Sequence, residues 1–220
     1  METTVEKRRA RTAPRLWLML AVAVVFGAVL VFPYLLLDVD SSRQDVDGGA
    51  HYSLLAAHVF TALVALVLGP LQFMPSIRAR RGVHRAIGRV YLLAGVLPSA
   101  LAGFPVAIMS GRPITQIGLS VPCVLWLVTG WLAVRAARRR DFRAHRAWMM
   151  RNYALTFLAV TSRILIPLLV VAQVALGDTG PRDELISSTI PVGQAIGWVV
   201  NLAIVEFMLR RRRTRASFAR

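Results

Sequence analysis

The sequence predicts an all-α polytopic membrane protein, a six-helix transmembrane bundle with both termini on the cytoplasmic side. Three observations carry that expectation. The 220 residues are 56% hydrophobic, and the apolar residues gather into runs of about twenty, the length an α-helix needs to cross ~30 Å of hydrocarbon. The formal net charge of +16 sits in clusters between those runs, with no zinc or RNA-binding signature beside it, so it reads as topology and excludes a nucleic-acid partner. Those clusters occupy alternate loops, as the positive-inside rule requires.

The first span covers about Leu16 to Leu37, behind a basic segment at 1–15 that includes Lys7. It begins as a signal peptide does, yet it is too long for an h-region and has no convincing small-residue cleavage site, so a retained span is expected. The others run from about Tyr52 to Met74, Val90 to Met109, Ile114 to Val134, Trp148 to Leu176, and Ile190 to Leu209. The span domain is thus 16–209, followed by a basic tail at 210–220. Arg78, Arg80, Arg81 and Arg85 separate the second and third spans, Arg135 to Arg146 separate the fourth and fifth, and Arg210 to Arg213 follow the sixth. The remaining loops hold Arg43, Arg112 and Arg182 among Asp38, Asp40, Asp45, Asp47, Asp178, Asp183 and Glu184. A multi-pass protein of the bacterial inner (plasma) membrane is expected, with the lipid bilayer as partner; protein partners and a homo-oligomer stay open. The single cysteine, Cys123, excludes an intramolecular disulfide and a cysteine metal cluster.

The fifth span keeps polar residues inside an apolar stretch. His145, Asn152, Thr156 and Arg163 are seven, four and seven residues apart, which puts them on one side of a continuous helix. A charge near the bilayer core costs roughly 2.5 to 3.5 kcal/mol even on the lenient insertion scale, so such residues face a bundle interior or a wet cavity. Glu206 matches the depth of Arg151 and Arg89, and an ion pair with one of them is expected. His58 on the second span and Asn201 on the sixth add to the polar interior. Gly88, Tyr91, Gly95 and Gly103 line one face of the third span, where close helix packing is the commoner use of such a row. Pro98, Pro105, Pro122 and Pro167 are expected to bend their helices.

The chain also repeats at an offset of 61 residues. Leu66-Val67-x-Gly69 matches Leu127-Val128-x-Gly130, and each glycine is followed fifteen residues on by His-Arg-Ala, at His84 and at His145. The offset makes the second and third spans a hairpin duplicated as the fourth and fifth, and puts His84 and His145 at equivalent depths. Neutral imidazole is a common axial ligand of b-type haem, so the two histidines are candidate iron ligands, with Arg85, Arg89, Arg146 and Arg151 placed to neutralise propionates. The plainer reading, that these His-Arg pairs anchor at the headgroup level, stays open beside it. No phosphate-cradling glycine loop, nucleophile elbow or His-Glu-x-x-His motif is present, so hydrolase and ATPase readings have no support and an enzymatic role is left open.

Three blocks, GPLQFMPSIRARRGVHRAIGRVYLL (Gly69 to Leu93), HRAWMMRNYALTFLAVTSR (His145 to Arg163) and WVVNLAIVE (Trp198 to Glu206), resemble the predicted membrane proteins of domain of unknown function 2306 (DUF2306) over roughly residues 50–209. That resemblance implies a shared pattern at the His-Arg, Trp-Met-x-Arg and inner Glu positions and carries no activity with it. The layout of histidines at span ends also resembles the transmembrane cytochromes b, although the fourth span has no histidine to match His58. The leading expectation is therefore a haem b-associated membrane redox protein; a small-anion carrier or channel using Arg163 and a non-catalytic assembly or scaffold protein are the alternatives.

Overall fold

A computed structural model of the chain describes residues 4–35 and 48–217, with side chains at 14–35, 49–211 and 214. Every regular element among them is helical. Among the described residues six helices are long and apolar enough to cross a membrane: Pro14–Tyr34, Gly49–Phe73, Arg81–Met109, Pro113–Arg138, Leu158–Ala175 and Arg182–Arg211. The acidic loop expected from Asp38, Asp40, Asp45 and Asp47 lies outside the described residues, as do the side chains of Lys7, Arg212 and Arg213. The chain divides into two compact units, Met1–Ala102 and Gly103–Arg220.

In the first unit α1 (Thr4–Val31) packs on α2 (Gly48–Phe73). A short α3 (Pro75–Ala79) leads into α4 (Arg81–Val90), then a π-helical stretch at Tyr91–Val96, then α5 (Leu97–Met109), whose last turns from Gly103 belong to the second unit. The widened turn sits just before Pro98, whose ring would otherwise press on the carbonyl four residues back. Gly95 faces α2 so closely that a Cβ there would lie 2.9 Å from the Ala65 backbone nitrogen. The glycine row of the third span therefore serves helix packing at this point. Tyr91 is fully buried, and Tyr34 and Tyr52 stack at 6.2 Å.

The second unit contains α6 (Pro113–Arg138), α7 (Phe142–Thr156), α8 (Leu158–Ala175) and α9 (Arg182–Ser217). The basic turn between α6 and α7 is short and closed: Asp141 N donates to Ala136 O at 3.0 Å, Arg140 takes the left-handed φ of 59° that this cap requires, and Asp141 Oδ1 then accepts Ala144 N at 2.9 Å. At the far end of α8, Gly177 takes φ 97° while Asp178 N reaches back to Gln173 O.

One expectation is corrected here. The fifth span is not a continuous helix from Trp148 to Leu176; it breaks at Phe157, and its membrane-length portion is Leu158–Ala175. The Ala154 carbonyl, which would accept the Leu158 N–H in an unbroken helix, instead accepts Asn201 Nδ2 from α9 at 2.9 Å. Despite the break, α9 runs antiparallel along both pieces. Glu206 meets Arg151, Asn201 meets Ala154 and Thr161, Gly197 meets Leu158, and Gly193 meets Ile166.

The two units share an internal pattern at the 61-residue offset. Gly95 meets Ala65 in the first, and Thr156 accepts from Trp126 in the second. Tyr91 and Asn152 are both fully buried. The π-helical stretch Tyr91–Val96 corresponds to 152–157, the stretch that ends at the Phe157 break.

Candidate functional site

The polar residues of the second unit meet between α6, α7 and α9. Asn152 is fully buried, and its Nδ2 donates to Trp126 O at 2.7 Å and to Thr129 Oγ1 at 2.9 Å. Thr129 passes the chain on to Leu125 O at 2.7 Å. Trp126 Nε1 donates to Thr156 Oγ1 at 3.0 Å, and Thr156 donates to Asn152 O at 3.2 Å. The result is an uncharged network of buried side chains that ties α6 to α7. Asn201 extends it from α9, its Oδ1 accepting Thr161 Oγ1 at 2.9 Å while its Nδ2 holds Ala154 O.

An ion pair closes one end of this core. Arg151 makes a two-pronged contact with Glu206, Nε to Oε1 and Nη2 to Oε2, the latter at 3.0 Å, and the guanidinium lies over the Trp148 ring at 4.6 Å. The fork geometry suits a carboxylate and holds α7 to α9. Of the two arginines whose depth matches Glu206, the structure pairs it with Arg151. Of the other arginines expected near haem propionates, Arg85 and Arg89 on α4 and Arg146 on α7 are exposed.

His145 Nδ1 lies 2.9 Å from Ala133 O. A carbonyl only accepts, so this nitrogen is the donor, and a neutral ring then carries its lone pair on Nε2, the atom that would ligate a metal. In the first unit His58 has the same arrangement with Ser99, Nδ1 to the backbone oxygen at 2.8 Å, and Ser99 Oγ returns a bond to His58 O at 3.1 Å. His84 is half-buried on α4, one turn before Gly88, which faces the buried Gln72. His84 and His145 belong to different units. Among the described residues no group of three or more His, Cys, Asp or Glu could hold a metal ion.

The expected stripe is therefore divided. His145, Asn152 and Thr156 bond to α6, whereas Arg163 lies beyond the break, exposed on α8, with Nη1 donating to Ser162 Oγ at 3.1 Å. Sequence reasoning missed Trp126, Thr129, Thr161 and Ser99. Trp126 and Thr129 are three residues apart in an apolar run, a spacing that marks a shared face and was the available signal.

The family described as Predicted membrane protein (DUF2306) matches residues 55–209, and the chain belongs to that family. No curated protein and no solved structure matches.

Proposed function

We propose, taking membership of this membrane-protein family as the premise, that the chain is a haem b-associated redox protein of the membrane, with His145 and His84 as the candidate haem-ligating histidines. The observation that carries the reading is the His145 ring, held through Nδ1 by the Ala133 carbonyl so that Nε2 is the basic nitrogen. A backbone carbonyl on the far nitrogen is the usual way a ligating imidazole is oriented and made more basic. The donor set suits haem better than a bare ion, because the porphyrin supplies four nitrogens and asks the protein for only two. The 61-residue offset makes His84 the equivalent candidate in the first unit, since the two hairpins match internally at their contact pairs and at their helix irregularities. Bound haem would supply reversible one-electron exchange. The chain's own part is to orient the imidazole from α6 and to set Arg146 beside it for a propionate.

The test is the spectrum of detergent-purified protein expressed with adequate haem. A Soret band and an α-band that sharpens on reduction are expected, lost in His84→Ala and His145→Ala and kept in His51→Ala. A folded, colourless preparation ends the haem reading. A second reading, a small-anion carrier, is favoured by one observation: Arg163 is an exposed cation within the Leu158–Ala175 span. It predicts anion flux into proteoliposomes that Arg163→Ala removes with no change in absorbance.

A further inference from the structure

α4 carries Arg81, Arg85 and Arg89 at intervals of four, so three guanidinium groups stand along one face with ~6 Å of rise between neighbours. All three are exposed, and none makes a hydrogen bond or ion pair among the described residues. Like charges at this spacing repel, so the helix holds them against its own stability.

The hairpin fold does not ask for all three. At the offset of 61 the matching helix α7 has Phe142, Arg146 and Met150 in their places, and its hairpin still closes through the equivalent contact positions. The depth of the ladder is also telling. The third span, Arg81–Met109, has 29 residues, of which about twenty cross the hydrocarbon; roughly the first nine, up to Arg89, then lie at headgroup level. Beyond Arg89 the helix continues into an exposed apolar lane, Val90 and Leu93, suited to acyl chains.

We propose that this ladder is a binding site for an anionic phospholipid that presents two phosphates from a single molecule, as diphosphatidylglycerol does. Each phosphate is gripped by the planar fork of one or two successive arginines, and the acyl chains lie along the apolar lane. The assignment takes Arg85 and Arg89 away from haem propionates and does not depend on haem being bound.

The full chain is reconstituted in nanodiscs of neutral lipid doped with diphosphatidylglycerol, or with phosphatidylglycerol at equal total charge, and co-purified lipid is counted by mass spectrometry after detergent extraction. Preferential retention of the two-phosphate lipid is expected, with a loss of about tenfold or more in apparent affinity for R81Q/R85Q/R89Q. The variant R139Q/R140Q/R143Q, which removes three charges from the α6–α7 turn, is expected to retain it. Equal losses in the two triples, or no loss in the first, overturn the proposal. So does displacement of the lipid by millimolar inorganic pyrophosphate, which would make the ligand a soluble diphosphate. Should the glutamine triple fail to fold, R81K/R85K/R89K keeps the charge and removes the fork. That variant is expected to lose the preference between the two lipids, and an unchanged preference overturns the proposal as well.

Discussion

Gly95 and Gly82 stand on the same span, yet their surroundings predict opposite responses to one added methyl group. A Cβ at Gly95 would meet Ala65 backbone nitrogen, Cβ and Cα at 2.9 to 3.1 Å, and backbone cannot swing aside, whereas nothing lies within 4 Å of one at Gly82. Gly95→Ala should therefore cost about 1–3 kcal/mol from overpacking, and Gly82→Ala should be neutral or gain up to about 1 kcal/mol from helix propensity. Reversible unfolding in mixed micelles measures both; equal effects would mean that α4–α5 does not approach α2 as described. Arg151 and Glu206 offer a second comparison at this scale. The pair is two-pronged, but the side chains are 17% and 38% exposed, so solvent discounts the attraction. A double-mutant cycle with Arg151→Gln and Glu206→Gln is expected to give a coupling of roughly 1 kcal/mol. The same cycle with Arg89 should be additive, and a coupling there would contradict the pairing.

The break at Phe157 shows what a hydropathy profile can and cannot see. The six spans were legible because twenty apolar residues in a row have few other uses, and the start of the fifth was misplaced by about ten residues for a physical reason. α7 is polar on the side that faces α6, and the residue that takes the Ala154 carbonyl at the break, Asn201, lies on α9, far along the chain and therefore invisible to local pattern. The duplication was legible in Leu-Val-x-Gly and His-Arg-Ala. The contact pairs it repeats were not, because Ala65 and Gly95 in one unit become Trp126 and Thr156 in the other, a close backbone approach replaced by a hydrogen bond. Asn201→Leu tests the origin of the break. With Nδ2 gone, the Ala154 carbonyl is released to the Leu158 N–H, and amide exchange at Leu158 should slow. Stability should fall by about 1–2 kcal/mol for the two lost bonds. Unchanged exchange at Leu158 would show that the break has another cause.

The six candidate spans of the described residues, an even number, predict both ends on one side, and the arrangement of charge predicts which side. The exposed arginines of the α3–α4 region and the α6–α7 turn, the basic start and the basic end all fall in alternate connections, while Asp178, Asp183 and Glu184 lie in one of the others with Arg182. Moving a basic cluster across the membrane during insertion is unfavourable, whereas acidic residues contribute little to orientation, so the arginine clusters decide it. The expected topology has both termini in the cytoplasm. Single cysteines in a Cys123→Ala background, placed beside Asp45, Arg112 and Asp183, should react with an impermeant maleimide in intact cells; those beside Arg80, Arg140 and Arg213 should react only after permeabilisation. One basic turn labelled from outside would break the six-span arrangement at that turn. Complete inversion of all six patterns would leave the helices intact and refute the orientation alone, along with the cytoplasmic-leaflet placement it implies for the α4 arginines.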